Sequence, residues 1–217
     1  FVHAARWGNR LGDIVLKDQL IISCPYSGKA RALQAGEESQ EYNISREEQD
    51  AWALRSHQRV MAARDAGFFQ AEIMPVEIPQ RKGDPIVFAE DEPVRPDTTL
   101  EKLGRLPTIY GSPTVTPGNA PDLSTGATAL VLTTREEAER RGIKPLATIL
   151  TWAMAAGHPD RIASIPAKAA KKALANLNLT VDDVDLIEIN EAFAAMPLVS
   201  THILGGGDPT QIEAIRA

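Results

Sequence analysis

The sequence predicts an α/β fold, because short apolar runs alternate with helices that carry their own capping residues. Residues 127–133 are mostly apolar, the pattern of a strand covered on both faces. A helix that begins after Thr134 and a second apolar run at 146–150 follow them. A strand, a helix and a strand within about 25 residues are typical of a β-α-β unit. We expect its crossover to be right-handed.

The carboxyl-terminal part contains a second unit of the same kind. Pro166 suits a first helical position, and the Ala- and Lys-rich residues 167–177 predict a helix. Residues 185–189 predict a strand, and residues 191–204 predict a further helix. Pro197 lies inside that helix, where it should cause a kink or remove one hydrogen bond.

The strongest helix signal lies earlier in the chain. Ser45 and Glu48 have the spacing of a capping box, in which each side chain accepts a hydrogen bond from the other residue's backbone. Helix-forming residues continue from there to Ala66, and Gly67 supplies the C-terminal stop. Residues 1–43 mix charges, glycines and short apolar runs, and we expect them to be mostly irregular.

Between this helix and the first β-α-β unit, the sequence predicts little regular structure. Residues 68–78 have the composition of an extended return that ends at Pro79. Residues 80–119 are rich in proline and glycine but keep enough apolar side chains to pack. We expect an ordered excursion over a surface rather than a linker.

Composition excludes several classes of protein. The chain has 217 residues, of which 43% are hydrophobic and 24% charged, and its net charge is -6. This balance permits a globular core and argues against a nucleic-acid-binding protein. Its one cysteine, Cys24, excludes an internal disulfide framework. The four histidines have no second ligand at a useful spacing, so we expect no metal site.

The expected environment is the cytoplasm. No stretch reaches the apolar length of a membrane span, and none has the pattern of a signal peptide. The sequence begins with Phe1 rather than Met and stops at Ala217 in what resembles a connection. We therefore expect the chain to be part of a longer protein.

Two polar residues stand out as candidates for chemistry. Asn190 and Glu191 follow the apolar run 185–189, and ligands of α/β sheets bind at the carboxyl ends of strands. The alternative is that Asn190 only caps the helix that follows it. Cys24 has no visible base or helix N-terminus beside it, which favours a packed structural cysteine over a nucleophile.

Four features in sequence order resemble the thiolases, the acyl-CoA acetyltransferases. Residues 185–194 resemble the family's Asn-Glu-Ala-Phe segment. Residues 44–59 resemble the long helix of its loop domain, and 116–132 resemble its Gly-Asn-Ala loop with the strand that follows. Residues 5–8 and 26–28 resemble the start of the loop domain. The order and spacing fit from end to end, so the resemblance covers essentially the whole chain.

The resemblance implies the thiolase fold, a five-layered α-β-α-β-α arrangement that is partial here and carries an inserted loop domain. Residues 1–117 would form the loop domain. Residues 118–150 would end the N-terminal half of the fold, and residues 151–217 would begin the C-terminal half.

The implied function is that of an acyl-CoA C-acyltransferase of fatty-acid metabolism and β-oxidation, which forms or cleaves 3-ketoacyl-CoA through a cysteine acyl-enzyme. Coenzyme A is then a substrate, and no cofactor is expected. We expect acyl-CoA and CoA as partners, no nucleic acid or membrane, and a homodimer or homotetramer.

The resemblance also implies roles for individual residues. Asn190 matches the asparagine that holds a water serving an oxyanion hole, so we expect a catalytic role in orientation and electrostatics. The expected substrate-binding residues are Ala192 and Phe193 beside the acyl and pantetheine groups and, by position, Arg95, Tyr110, Ala120 and Pro121.

The sequence departs from the family pattern near the expected substrate tunnel. The histidine of the family's His-Met-Gly motif is missing from residues 30–37, and Pro121 and residues 162–166 also differ. The family's nucleophilic cysteine precedes the loop domain, and its catalytic histidine and second cysteine follow the Asn-Glu-Ala-Phe segment. His158 lies in a Gly-His-Pro motif but precedes Asn190, so we expect it not to be the catalytic histidine.

We therefore expect the chain alone to be inactive and the full-length protein to be a thiolase. The alternatives are a non-catalytic thiolase-like subunit that binds acyl-CoA or supports a catalytic partner, and a purely structural domain.

Overall fold

The computed structural model describes residues 23–124 and 126–217, and helices dominate them. The helices and strands are, in chain order, α1 Arg31–Glu41, α2 Arg46–Asp65, β1 Val76–Ile78, β2 Ile86–Phe88, α3 Leu100–Gly104, α4 Arg135–Arg140, α5 Ile165–Ala175, α6 Ala195–Leu204 and α7 Pro209–Arg216. A short 3₁₀ turn, Val181–Asp183, precedes α6. None of the helices in the described ranges is long and apolar enough to cross a membrane.

Helix α2 begins and ends where its sequence predicts. Ser45 Oγ accepts from the Glu48 amide at 3.1 Å, and Glu48 Oε2 accepts from the Ser45 amide at 2.8 Å. This pair forms the expected capping box. At the other end Gly67 has φ +78°, a left-handed conformation that ends the helix.

Helix α1 corrects the expectation that residues 1–43 are mostly irregular, because residues 31–41 are helical. Gly36 lies in the middle of α1 and weakens its intrinsic helix propensity. A side chain there has no room: a Cβ would overlap Ser112 Oγ and lie 2.8 Å from Pro113 Cδ. The close packing of α1 against residues 112–114 therefore requires glycine at position 36. The same glycine weakens the helix signal in the sequence. Residues 1–22 lie outside the described ranges.

The core forms around α6, which packs against α1, α5 and α7. One buried cluster contains Ile44, Ala163, Met196, Leu198 and Val199, and a second contains Ala32, Ala35, Val115 and Ala195. Because three helices pack against α6, eight of its ten residues are buried, including the polar Ser200 and Thr201.

The first turn of α6 differs from the predicted one. The expected helix covered residues 191–204, but α6 begins at Ala195. Pro197 therefore lies in the first turn, where backbone N–H groups have no partner within the helix. Its ring costs no hydrogen bond there, and no kink is needed.

A buried carboxylate joins α1 to the start of α5. Glu38 is 1% exposed. Its Oε2 accepts from the amides of Ile162 at 2.8 Å and Ala163 at 2.7 Å, and its Oε1 accepts from Ser164 at 3.2 Å. Three backbone donors thus replace the water that the carboxylate loses on burial.

Three predicted strands do not form as strands. In the described part of the chain, residues 127–133, 146–150 and 185–189 have no regular secondary structure and pair with no neighbouring strand. A strand ladder needs a second chain segment alongside, and none of the described segments pairs with these residues. The apolar side chains stay exposed, Val131 to 96% and Leu186 to 85%.

The one ladder in the described ranges is an antiparallel hairpin. Strand β1 pairs with β2 in the register Val76 with Phe88 and Ile78 with Ile86. Residues 68–78 were expected to be extended throughout, but 68–72 form turns and only 76–78 are strand.

Candidate functional site

Helix α2, the loop 118–121 and the segment 190–194 meet around one cleft. The cleft has a volume of about 210 Å³. Apolar side chains form most of its wall, and polar groups enter from α2 and from Glu191. The lining residues are Trp52, Ala53, Ser56, His57, Val60, Pro93, Val94, Gly118, Asn119, Ala120, Pro121, Glu191 and Ala194.

Asn119 connects all three elements. Its Nδ2 donates to Asp50 Oδ1 of α2 at 3.0 Å and to the Thr114 carbonyl at 3.2 Å. Its Oδ1 accepts from the Thr116 amide at 2.8 Å. Its own carbonyl accepts from the Ala194 amide at 3.0 Å. The side chain is 3% exposed, so each of these bonds forms away from water.

Asp50 extends this network to α3. Its Oδ2 accepts from Arg46 Nε at 2.8 Å. The same guanidinium donates to the carbonyls of Leu103 at 2.7 Å and Leu106 at 3.2 Å. The buried carboxylate therefore has a charged partner and an amide partner at once, which offsets its desolvation.

Glu191 anchors the segment 190–194 to α2. Its Oε1 accepts from Trp52 Nε1 at 2.8 Å, and its Oε2 accepts from Ser56 Oγ at 2.8 Å. The two donors lie four residues apart and so on one face of the helix. The Arg55 guanidinium lies 3.9 Å from the centre of a Trp52 ring, which fixes the indole further.

His57 lies on the same helix and lines the cleft. Its Nδ1 accepts from the Arg95 amide at 3.4 Å, so the neutral ring carries its proton on Nε2. Burial lowers the pKa of His57 below its ordinary value, and the positive charge of Arg95 lowers it further. The ring is therefore neutral at pH 7.

The structure brings some of the predicted site residues together and leaves others apart. Ala120 and Pro121 line the cleft. Arg95 does not line it, but its amide contacts the cleft residue His57 and its guanidinium lies 3.9 Å from the Asp122 carboxylate. Ala192 and Phe193 pack against the core rather than into the cleft.

Asn190 and Tyr110 lie outside the wall of this cleft. Asn190 is exposed, directly before Glu191. Tyr110 is 53% exposed and has φ +51°. Asn190 does not cap α6, because the N-cap residue of that helix is Ala194. The helix-cap interpretation of Asn190 is therefore wrong.

The residues of α2 that line the cleft were not among the predicted site residues. Trp52 and Ser56 lie four residues apart on one face of α2, and this spacing was a usable signal. The roles of Asn119 and Asp50 had no local signal, because their partners are distant in the sequence.

Cys24 and His158 lie away from the cleft. Cys24 is a buried, free cysteine. The backbone N–H groups of Ser27 and Tyr26 lower the pKa of its thiol to about 7. His158 is exposed, with Nδ1 3.9 Å from the Asp160 carboxylate. In residues 23–124 and 126–217, no three acidic, histidine or cysteine side chains are grouped to hold a metal ion.

Comparison with known proteins agrees with the sequence and the fold. The family model for the thiolase N-terminal domain matches residues 2–136, and the model for the C-terminal domain matches residues 143–212. Together they match most of the chain, which belongs to the thiolase family.

Among its relatives is the acetyl-CoA acetyltransferase of Chromobacterium violaceum, 40% identical over 94% of this chain and 53% of the relative. The β-ketothiolase BktB of Cupriavidus necator is 42% identical over 96% of this chain and 54% of the relative. The chain thus spans about half the length of these relatives.

Solved structures show the same relationship. The Bacillus anthracis acetyl-CoA acetyltransferase superposes with a TM-score of 0.82 at 37% identity, covering 92% of this chain and 51% of that one. The human mitochondrial 3-ketoacyl-CoA thiolase gives 0.81 at 36% identity, with the same coverage. The fold is therefore a partial thiolase fold, as the sequence predicted.

Proposed function

We propose that this chain is the central part of an acyl-CoA C-acyltransferase that forms or cleaves 3-ketoacyl-CoA. The hydrogen bond from the Ala194 amide to the Asn119 carbonyl carries the proposal. It joins the Gly-Asn-Ala loop to the Asn-Glu-Ala-Phe segment, the two features that mark the family. The bond thereby connects the loop of the proposed substrate-binding residues Ala120 and Pro121 to the segment of the proposed catalytic residue Asn190.

The reaction is a two-step acyl transfer. In the synthetic direction a cysteine thiolate attacks the thioester carbonyl of one acyl-CoA, the carbon–sulfur bond to CoA breaks, and CoA leaves. A base removes a proton from the α-carbon of a second acyl-CoA. The resulting carbanion attacks the acyl-enzyme carbonyl, and the cysteine thiolate is released as 3-ketoacyl-CoA forms. Thiolysis runs the same steps backwards.

Negative charge develops on a thioester oxygen in both steps and needs fixed donors. We assign Asn190 the role of holding a water that donates to this oxygen. Its amide is neutral and neither gives nor takes a proton, so its contribution is orientation and electrostatic stabilisation.

We assign substrate binding to residues in and near the cleft, beginning with the loop 118–121. Ala120 and Pro121 present a small, rigid surface to the pantetheine arm. The Arg95 guanidinium is 69% exposed and suits a phosphate of CoA. We also propose contacts from Ala192, Phe193 and Tyr110, which do not line this cleft in the structure. CoA is a substrate here, and the proposed chemistry needs no metal or cofactor.

Cys24 is not the proposed nucleophile. It is 2% exposed, and a thioester carbonyl cannot reach a sulfur atom that solvent does not reach. It is the one cysteine in these 217 residues. The acyl-enzyme is therefore assigned to a cysteine supplied by another part of the full-length protein, which we expect to be a homodimer or homotetramer.

The test is cleavage of acetoacetyl-CoA by CoA in the full-length protein, followed by mass spectrometry of the acyl-enzyme. We expect acetyl-CoA as product and an acetyl adduct on a cysteine other than Cys24. The Cys24→Ser variant should keep its activity. CoA binding without cleavage would instead support a non-catalytic acyl-CoA-binding subunit, and loss of cleavage in Cys24→Ser would overturn the assignment of the nucleophile.

A further inference from the structure

Glu191 is exposed, yet both of its carboxylate oxygens have partners on one helix. Trp52 Nε1 and Ser56 Oγ each donate to it at 2.8 Å. An isolated surface contact of a carboxylate contributes little to stability. Here two donors on successive turns of α2 hold the two oxygens separately, so the carboxylate has one defined position and orientation.

This contact fixes one end of a short loop whose other end is also fixed. Three residues further on, the Ala194 amide donates to the Asn119 carbonyl at 3.0 Å. Asn190 directly precedes the fixed Glu191. Upstream, residues 185–189 pair with no strand in the described ranges. In this structure Asn190 therefore lies between an unpaired segment and a residue that α2 holds, and its own carbonyl accepts from the Ala192 amide at 3.0 Å.

The two partners of Glu191 also lie beside the proposed substrate-binding loop. Trp52 and Ser56 line the cleft together with Ala120 and Pro121. Trp52 also lines a larger cavity whose wall includes residues 185–189. The indole is thus a shared wall between the proposed substrate-binding loop and the segment that ends at Asn190.

We propose that Glu191 is a positioning residue that sets Asn190 relative to the substrate, through its hydrogen bonds to Trp52 and Ser56. This inference rests on the proposed function. Catalytic groups must be held within about 0.5 Å of the productive geometry, and a misplacement of 1 Å can cost about 100-fold in rate. Loss of the Glu191 contacts should therefore affect turnover more than substrate binding.

The kinetic test compares Glu191→Ala with Glu191→Gln in the full-length protein. We expect kcat to fall about 10- to 100-fold in Glu191→Ala, with KM changed by less than about threefold and an unchanged unfolding midpoint. Glu191→Gln should recover most of the lost kcat, because its amide accepts from Trp52 Nε1 and donates to Ser56 Oγ. Gln58→Ala, an exposed change on the same helix, is the control and should leave both constants unchanged.

A direct structural readout is the indole N–H signal of Trp52 in a ¹H–¹⁵N NMR spectrum. The chain has three tryptophans, Trp7, Trp52 and Trp152, and Trp52→Phe identifies the signal by its loss. We expect this signal to move upfield in Glu191→Ala as the hydrogen bond to the carboxylate disappears, and to move less in Glu191→Gln.

Each outcome decides the inference. An unmoved indole signal, or a wild-type kcat in Glu191→Ala, would overturn the positioning role. Glu191→Ala could instead lower kcat, raise KM and lower the unfolding midpoint together, with no recovery in Glu191→Gln. Glu191 would then have only a structural role, and the positioning role would be overturned. If the wild-type protein has no turnover at all, the proposed function fails and the positioning role fails with it, while the indole signal still reports whether the contact exists.

Discussion

The amide of Ala194 donates a 3.0 Å hydrogen bond to the carbonyl of Asn119. This bond joins a loop that follows the α2–α3 region to the turn that begins α6. The Asn119 side chain then connects both to Asp50 on α2. One buried asparagine therefore sets the distance between the proposed substrate-binding loop and the segment that carries Asn190.

The first prediction concerns this asparagine. Asn119→Ala should lower the free energy of unfolding by about 1 to 3 kcal/mol, because Asp50 and the Thr114 carbonyl lose a buried donor. Asn119→Asp should cost more, since it faces the Asp50 carboxylate with a second one. Asn176→Ala, at an exposed helix end, is the control and should stay within about 0.5 kcal/mol. Equal urea midpoints for Asn119→Ala and the control would contradict the account.

The second prediction concerns Glu38. Glu38→Leu leaves three backbone amides, two of them buried, without an acceptor, so it should destabilise the protein by at least about 2 kcal/mol. Glu38→Gln keeps one acceptor oxygen and should fall between Leu and wild type. The half-exposed neighbour Glu37, whose partner is Lys29 at 2.7 Å, is the matched control. Glu37→Gln should lower the free energy of unfolding by about 1 kcal/mol or less. An equal loss in Glu37→Gln and Glu38→Gln would contradict the role of Glu38.

The third prediction compares two helical glycines. Alanine is favoured over glycine in a helix by about 1 kcal/mol. At Gly36 we expect the opposite sign, because a Cβ would overlap Ser112 Oγ. At Gly104 no atom lies within 4 Å of the added Cβ, so Gly104→Ala should stabilise the protein or leave it unchanged. Thermal midpoints that rise for both variants would show that α1 does not pack as described.

The fourth prediction concerns pH. Burial and the nearby Arg95 place the pKa of His57 below its ordinary value of 6.5. Between the lowered pKa of the folded protein and the value of 6.5 in the unfolded chain, the unfolded chain binds more protons. The free energy of unfolding therefore rises with pH in this range. The contribution of neutral His57 is fully present above pH 6.5 and is lost as the pH falls through the folded pKa.

The check is urea unfolding at a series of pH values for wild type and His57→Asn. Asparagine can still accept from the Arg95 amide but does not titrate. We expect the loss of stability below pH 6.5 to be smaller in the variant. Parallel curves for the two proteins would contradict a lowered pKa of His57.

How far sequence predicted the fold depends on the range of the interactions. The ends of α2 were predictable because the signals, Ser45 with Glu48 and then Gly67, lie within the helix itself. Helix α7 was not predicted, since the end of the sequence was expected to be a connection. It nevertheless has a local signal: the Asp208 side chain accepts from the Thr210 and Gln211 amides, and Pro209 follows it.

Long-range contacts explain what sequence analysis missed. Glu38 has the pattern of an exposed helix residue until the backbone of 162–164 is packed against it. The predicted strand at 127–133 has strand composition, but strand pairing needs a neighbour that composition does not supply. The chemistry of Asn190 was suggested by resemblance, whereas its attachment to α2 through Glu191 appears only in the structure.

The most direct test of the central claim is the turnover of Asn190→Asp in the full-length protein. The substitution keeps the size of the side chain and adds a negative charge where we propose that Asn190 supports the developing oxyanion. We predict an unchanged unfolding midpoint and a kcat lower by about 100- to 1,000-fold, the usual cost of losing one oxyanion donor. Asn176→Asp, the same change at an exposed position, should keep wild-type turnover. Near-normal turnover in Asn190→Asp would contradict a catalytic role for Asn190.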